Sequence, residues 1–251
     1  YCINEKSQSS RYAAFGKKIF PTKSKEQWYI DIAVSMPPSR NYKNFIVFVD
    51  GLTLFCVISP LKTRKANEIL YVFRDKIIAI FGKPQRIFSD QEGAVISKLM
   101  QDFCSKNGIS CDTTTRNSPW ENQPAEKTIG IAKQTLRILT KQYGVIWTDV
   151  IQDVALRLNN RRLNTKYTPF ELMFGYSNDQ DKPLQVIQDT AASLEEYCHK
   201  LSSTILKNQE EHYSIRDRLA DSKRRSVNKS RMEPNIKEKD IVVYRNHNIA
   251  D

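Results

Sequence analysis

The run EQWYIDIAVSM, residues 26–36, decides the fold. Its aromatic and β-branched residues predict a buried strand. Asp31 interrupts it, and a carboxylate inside apolar surroundings costs free energy unless something pairs with it. The run therefore predicts both a strand and a use for its acid. Two more apolar runs follow, NFIVFVD (44–50) and LFCVISP (54–60), joined around Asp50-Gly51, a hairpin signal. Three strands linked by tight turns form an antiparallel meander. Phe45 and Phe48 point to opposite faces of the second run, as expected where helices cover both sides of a sheet.

Downstream the period changes. In ANEILYVFRDKIIAIFG (66–82), Ile69, Leu70, Phe73, Ile77, Ile80 and Phe81 recur at helical spacing, and Gly82 suits the C-terminal cap. After Pro84 comes a short strand, QRIFSD (85–90). VISKLMQDFCSKN (95–107) reads as a helix closed by Gly108, and ISCDTTT (109–115) as a fifth strand. The polar loop RNSPWENQP (116–124) precedes the helix AEKTIGIAKQTLRILTKQY (125–143), and another helix covers about 147–162. Meander, helix, strand, helix, strand and helices in that order add parallel strands to the antiparallel ones. The order resembles the ribonuclease H-like fold, an α/β class with a mixed five-stranded sheet flanked by helices. Residues 1–25 read as a basic arm and 26–175 as the core. Residues 176–236 read as a linker, a long charged helix over 191 to about 222, and a basic stretch. Residues 237–251 read as the start of a small β domain.

Asp31, Asp90 and Glu126 are the acids this order singles out. Asp90 ends a strand, Glu126 opens a helix, and 35 residues separate them. Acids that interrupt or end buried strands, with a third on a later helix, are what a two-metal phosphoryl-transfer site requires. Carboxylate oxygens suit Mg²⁺ or Mn²⁺, and two such ions about 3.5–4 Å apart clamp the attacking and leaving oxygens. On spacing alone, three unrelated surface or capping acids are an equal reading. Asp50 is assigned to its turn, and Glu92 to a solvated loop.

The formal net charge is +11 and the pI about 9.4, which favours a polyanionic partner. At 40% hydrophobic residues, a core of ordinary size is possible. No apolar run approaches the 18 or so residues of a membrane-spanning helix, and the start carries no signal-peptide pattern. The five cysteines form no C-x-x-C pair, and the three histidines all fall late, so no zinc-type cluster is expected. The first residue is Tyr, so the chain reads as a piece of something longer, such as a processed polyprotein. KRRSVNKSR (223–231) holds Lys223, Arg224, Arg225, Lys229 and Arg231 and no acid; it reads as a phosphate-binding or nuclear-import stretch.

WYID, FSD and ENQPAEK at this spacing resemble the D,D-35-E catalytic core of retroviral and retrotransposon integrases. TKYTPFELMFG (165–175) looks like the segment closing that core in long-terminal-repeat elements. KEKDIVVYR (237–245) is similar to the first strand of their C-terminal β-barrel, here incomplete. The resemblance implies that Asp31, Asp90 and Glu126 are catalytic and hold two Mg²⁺ or Mn²⁺ ions. It implies metal-dependent trimming of element DNA ends and their joining to target DNA, by a homo-multimer (dimer or tetramer), in the nucleus after assembly in a particle or the cytoplasm. Lys133 falls where a lysine of relatives contacts DNA ends, seven residues after Glu126 and on the same helical face; Asn122 matches the family's Asn and reads as positioning DNA or the ion, or as a turn residue, while Lys127 flanks the acid on another side of the helix, with DNA as its expected partner. Trp120 reads equally as a platform for a splayed base and as an apolar anchor for its loop. The sequence departs from the family at Asn122-Gln123, where Asn-Gly is usual, at Thr128-Ile129-Gly130, where Asn is usual, and at Asp90-Gln91-Glu92-Gly93, one residue longer than usual. Two other readings stay open on these departures: an inactive, domesticated DNA- or chromatin-binding relative, and a transposase or hybrid-cutting nuclease on the same fold.

Overall fold

Residues Gln27–Ala33 form β1, the centre of a five-stranded sheet in the order β3-β2-β1-β4-β5. The computed structural model describes residues 20–90, 97–113, 122–164, 166–177 and 193–229. β2 (Asn44–Asp50) runs antiparallel to β1, from Trp28 opposite Asp50 to Ala33 opposite Phe45, and β3 (Cys56–Leu61) runs antiparallel to β2. β4 (Arg86–Ser89) and β5 (Ser110–Thr113) add on the other side in parallel. The expected meander and the two later parallel strands are therefore present.

The period of two sorts β1 and β2 onto two cores. Tyr29, Ala33, Phe45, Val47 and Val49 face α4 (Gln123–Tyr143) and α5 (Trp147–Asn159), which contribute Ala125, Ile129, Ala132, Leu136 and Trp147. Trp28, Ile30, Ile46, Phe48 and Ile87 face the opposite helices, α1 (Ala66–Phe73) and α3 (Lys98–Lys106). Phe45 and Phe48 are fully buried on opposite sides, as their alternation predicts. Each such side chain is worth about 1.5–3 kcal/mol relative to exposure. The helix expected over 66–82 is continuous, but Arg74–Ile78 form a π-helical segment before the short α2 (Ala79–Phe81). α5 stops at Asn159, three residues before the expected end. There the Asn159 side chain leaves the helix to bracket Cys56 of β3, accepting from its N–H and donating to its carbonyl, both at 2.8 Å.

The TPFELMFG segment is a short helix, α6 (Pro169–Phe174), which periodicity did not announce. Thr168 and Glu171 cap its start reciprocally, and Pro169 occupies the first turn. Its aromatic rings close the end of the sheet. Phe170 and Phe174 lie 4.7 Å apart, and Phe55 meets Phe174 edge-on at 5.4 Å. Gly175 caps the helix at φ +83°. A Cβ there would run into Ile205 and Leu201 of the long helix α7 (Leu194–Asn228).

α7 meets the core through polar side chains. Gln209 donates to the Leu172 carbonyl (2.8 Å) and to Ser24 Oγ (3.0 Å). His212 Nε2 lies 3.1 Å from the Leu52 carbonyl. Arg216 donates to the carbonyls of Gly51 and Leu52 and stacks its guanidinium over the Phe20 ring. These contacts extend the compact unit over Phe20–Arg216, beyond both expected limits of the core at 26 and 175. The described residues from Asp217 onward fall in a second unit. The expected β strand at 237–246 lies outside the described residues.

Candidate functional site

Pairing between β1 and β4 ends at Ile30 opposite Ser89. Asp31 and Asp90 are the next residue on each strand. Parallel neighbours lie roughly 4.8 Å apart, so the two acids occupy adjacent positions where β4 stops. Alternation puts Asp31 on the face of Tyr29 and Ala33, the face covered by α4 and α5, and Asp90 is the first residue past β4. The gap between β1 and β4 is also where the strand order reverses direction, beyond the carboxyl ends of parallel strands. Open α/β sheets gather ligands at such a place.

Asp31 is half-buried, and its Oδ1 accepts from the Ile32 N–H at 2.7 Å. Asp90 is exposed just past β4. Glu126 is exposed in the first turn of α4, where the partial positive charge of a helix start favours an acid. The start of α4 is tied to β1 through Asn122. Its backbone carbonyl accepts from the N–H groups of Ala125 and Glu126 (3.1 and 3.2 Å), while its side-chain Nδ2 reaches the Ile30 carbonyl at 3.2 Å. The helix carrying Glu126 is thereby fastened one residue from Asp31.

Among the described residues, no three His, Cys, Asp or Glu side chains are gathered so as to hold an ion. What the fold brings together are positions. Their donor set, carboxylate oxygen throughout, is the one Mg²⁺ and Mn²⁺ take.

Asn122, expected to position DNA or the ion, has a fully buried side chain turned toward β1. Lys127 and Lys133 are exposed on α4, Lys133 on the helical face of Glu126 and Lys127 a quarter-turn away. Lys223, Arg224 and Arg225 lie in the last turns of α7 and Lys229 just past its end, within the second unit. Asp221 pairs with Arg224 at 3.0 Å and with Arg225 at 3.2 Å, so two of these cations are partly neutralised within the helix. Arg231, Trp120, Glu92, Lys17 and Lys18 lie outside the described residues.

Asp50 serves the turn. Its side chain is fully buried and accepts from the N–H of Lys25 (2.7 Å), the N–H of Thr53 (2.8 Å) and the hydroxyl of Thr53 (2.7 Å). Burial still pushes its carboxyl above the usual range, against the lowering effect of those bonds. Arg216 and His212, the polar groups that fasten α7, were not anticipated. Burial holds Arg216 down to about 10, with Tyr29 and Asp50 opposing. Burial and then the Arg216 charge depress His212 to about 4, against the Leu52 carbonyl. Their spacing from Gln209, three and seven residues, marks one helical face. Leu201 and Ile205, which meet Gly175, begin the same face, but its later residues are polar and carry no apolar period.

A mixed five-stranded sheet in this order, with helices on both faces, is the ribonuclease H-like fold. Residues 21–119 match the integrase core domain family. The Pro-Pol polyprotein of feline foamy virus is 29% identical over 158 residues, 62% of this chain and 14% of the polyprotein. The transposon Tf2-3 polyprotein of Schizosaccharomyces pombe (strain 972 / ATCC 24843) is 27% identical over 154 residues, 61% of this chain and 12% of that one. The chain thus spans a small part of these relatives. A chain in the cryo-EM structure of the simian T-cell lymphotropic virus intasome, in complex with PP2A regulatory subunit B56 gamma, shares the fold. Its TM-score is 0.56 at 20% identity, over 66% of this chain and 59% of that one. The chain is thus similar to the integrase core domain family over residues 21–119 and to retroviral and retrotransposon polyproteins over about three fifths of its length.

Proposed function

We propose that this chain carries the catalytic core of an integrase that trims element DNA ends and joins their 3′-hydroxyls to target DNA. The observation that supports it most is the register of β1 and β4. Pairing ends at Ile30 opposite Ser89, so the residues that come next in sequence, Asp31 and Asp90, both lie at that end of the sheet, and Glu126 opens α4, which packs on the Asp31 face of β1. Asp31, Asp90 and Glu126 would hold two Mg²⁺ or Mn²⁺ ions, which would activate the attacking oxygen and stabilise the leaving one. The residues' own share is placement. Two carboxylates sit at strand ends on a rigid sheet, and the third stands on a helix fastened to that sheet. Lys133, on the Glu126 face of α4, is placed to take a DNA phosphate, and the net charge of +11 favours the polyanion throughout. The chemistry uses no covalent protein–DNA link. Insertion of two DNA ends together calls for a multimer.

The test is strand transfer of a short element-end duplex into plasmid with Mn²⁺, comparing the chain with Asp90→Asn. Joining should depend on Asp90. Joining that survives Asp90→Asn would overturn the assignment of the acids.

A further inference from the structure

The fold brings two free cysteines, Cys104 and Cys111, into one corner of the core. Cys104 lies in the last turn of α3 and is fully buried; Cys111 is the second residue of β5 and is half-buried. Between them the chain reverses. The N–H groups of Asn107 and Ile109 both donate to the Cys104 carbonyl, at 3.0 and 2.9 Å, and Gly108 turns at φ +68°. β5 therefore starts against the helix end that the chain has just left. The register then aims the second thiol. Cys111 pairs with Ile87 of β4, and paired residues of neighbouring strands share a face of the sheet. Ile87 is fully buried in the core that α3 fills with Met100 and Cys104, and Cys111 packs against that core. The two thiols share a hydrogen bond. It pushes Cys104 up, with burial adding, and holds Cys111 below the ordinary thiol value, with burial and Asp112 opposing. By contrast, Cys56 belongs to the opposite core and Cys198 is exposed on α7.

We infer that Cys104 and Cys111 form a reversible disulfide that clamps α3 to β5 when a small-molecule disulfide is present as oxidant. The thiolate is the attacking species in such an exchange, and access decides which sulfur starts. Cys111 is the accessible one. Its thiolate attacks one sulfur of the small disulfide, whose S–S bond breaks; one small thiolate leaves, and a mixed disulfide remains on Cys111. Cys104 then gives its proton to the released thiolate and attacks the Cys111 sulfur, expelling the second small thiol. Two protein thiols and one small disulfide become one protein disulfide and two small thiols. The bond closes a loop of eight residues, 104–111, and such closure stabilises mainly by constraining the unfolded chain. It joins the helix and the strand that stand between Asp90 and Glu126 in sequence, and it uses none of the acids.

The experiment incubates the chain with oxidised glutathione, blocks free thiols with iodoacetamide and weighs tryptic peptides without reduction. Lys106 lies between the two cysteines, so trypsin separates residues 99–106 from 107–116. The expected product is those two peptides joined, two hydrogens lighter than their sum, which dithiothreitol returns to separate peptides. The oxidised chain should also unfold at a higher urea concentration than the reduced one. Glutathione on the exposed Cys198 reports that the reagent has acted. Cys104→Ser should trap Cys111 as its mixed disulfide with glutathione, whereas Cys111→Ser should leave the buried Cys104 a free thiol. Peptides 99–106 and 107–116 that stay separate while Cys198 is modified would overturn the pairing. Joined peptides with an unchanged urea midpoint would overturn the clamp. Both of these results are read on the unmutated chain, so neither depends on a variant's folding.

Discussion

His212→Gln should remove much of the acid sensitivity of the folded core. The histidine is buried against the Leu52 carbonyl, and burial and the Arg216 charge hold it at about 4, against an ordinary value of 6.5. A group whose folded value is depressed contributes stability that is fully present above its unfolded value. That stability is lost as pH falls through the window between the two, here about 6.5 to 4. At pH 5 the unfolded chain binds the proton and the folded chain largely does not, which costs about 2 kcal/mol; below pH 4 the cost approaches about 3 kcal/mol. Glutamine keeps a donor for the Leu52 carbonyl and never charges. Asp50 has the opposite sign. Its raised carboxyl contributes stability present below its ordinary 3.8 and lost as pH rises through its folded value. It is common to both proteins and cancels in the comparison. Urea unfolding at pH 7 and pH 5 should therefore show the wild type losing about 2 kcal/mol more than His212→Gln. Equal losses in the two proteins would mean that His212 is not held neutral by its burial.

Two glycines should respond with opposite signs. At Gly175, φ of +83° and the side chains of Ile205 and Leu201 leave no place for a Cβ. Gly175→Ala should cost about 2–4 kcal/mol through backbone strain and overpacking, read as a lower thermal midpoint. At Gly130, on the exposed side of α4, an added Cβ meets nothing within 4 Å. Gly130→Ala should raise stability by about 1 kcal/mol, read as a higher urea midpoint.

What the sequence revealed of the fold was whatever period and breaker residues encode locally. β2 buries both faces because it is apolar on both, and the helices around Phe73 and Leu136 follow their stripes. α6 was missed because six residues hold too little period to register; its capping box and proline were legible only as a motif. The docking of α7 was hidden for a different reason. An amphipathic helix advertises its inner face by apolar residues, but this one turns Gln209, His212 and Arg216 inward. Their partners are backbone carbonyls of a loop more than 150 residues away for His212 and Arg216, which no window over the helix contains. The basic stretch shows the same limit on a smaller scale. Residues 223–231 hold no acid, yet Asp221, two residues upstream, reaches Arg224 and Arg225 one turn on.

The acids show how far residue type alone can go. Asp31 and Asp50 both sit in apolar strands, and composition cannot rank them. The structure separates them by what surrounds the oxygens. Asp50 is closed off, with N–H and O–H donors from Lys25 and Thr53 filling its lone pairs, so its carboxylate is spent on the turn. Asp31 lies where β4 ends and the sheet opens, half-buried, beside the position of Asp90. A buried carboxylate satisfied by its own chain lowers the cost of a fold. Asn122 extends the distinction to neutral groups. Asn159 has both amide atoms engaged and holds two elements together; Asn122 has one engaged and one open, at the point where the helix bearing Glu126 meets the strand bearing Asp31.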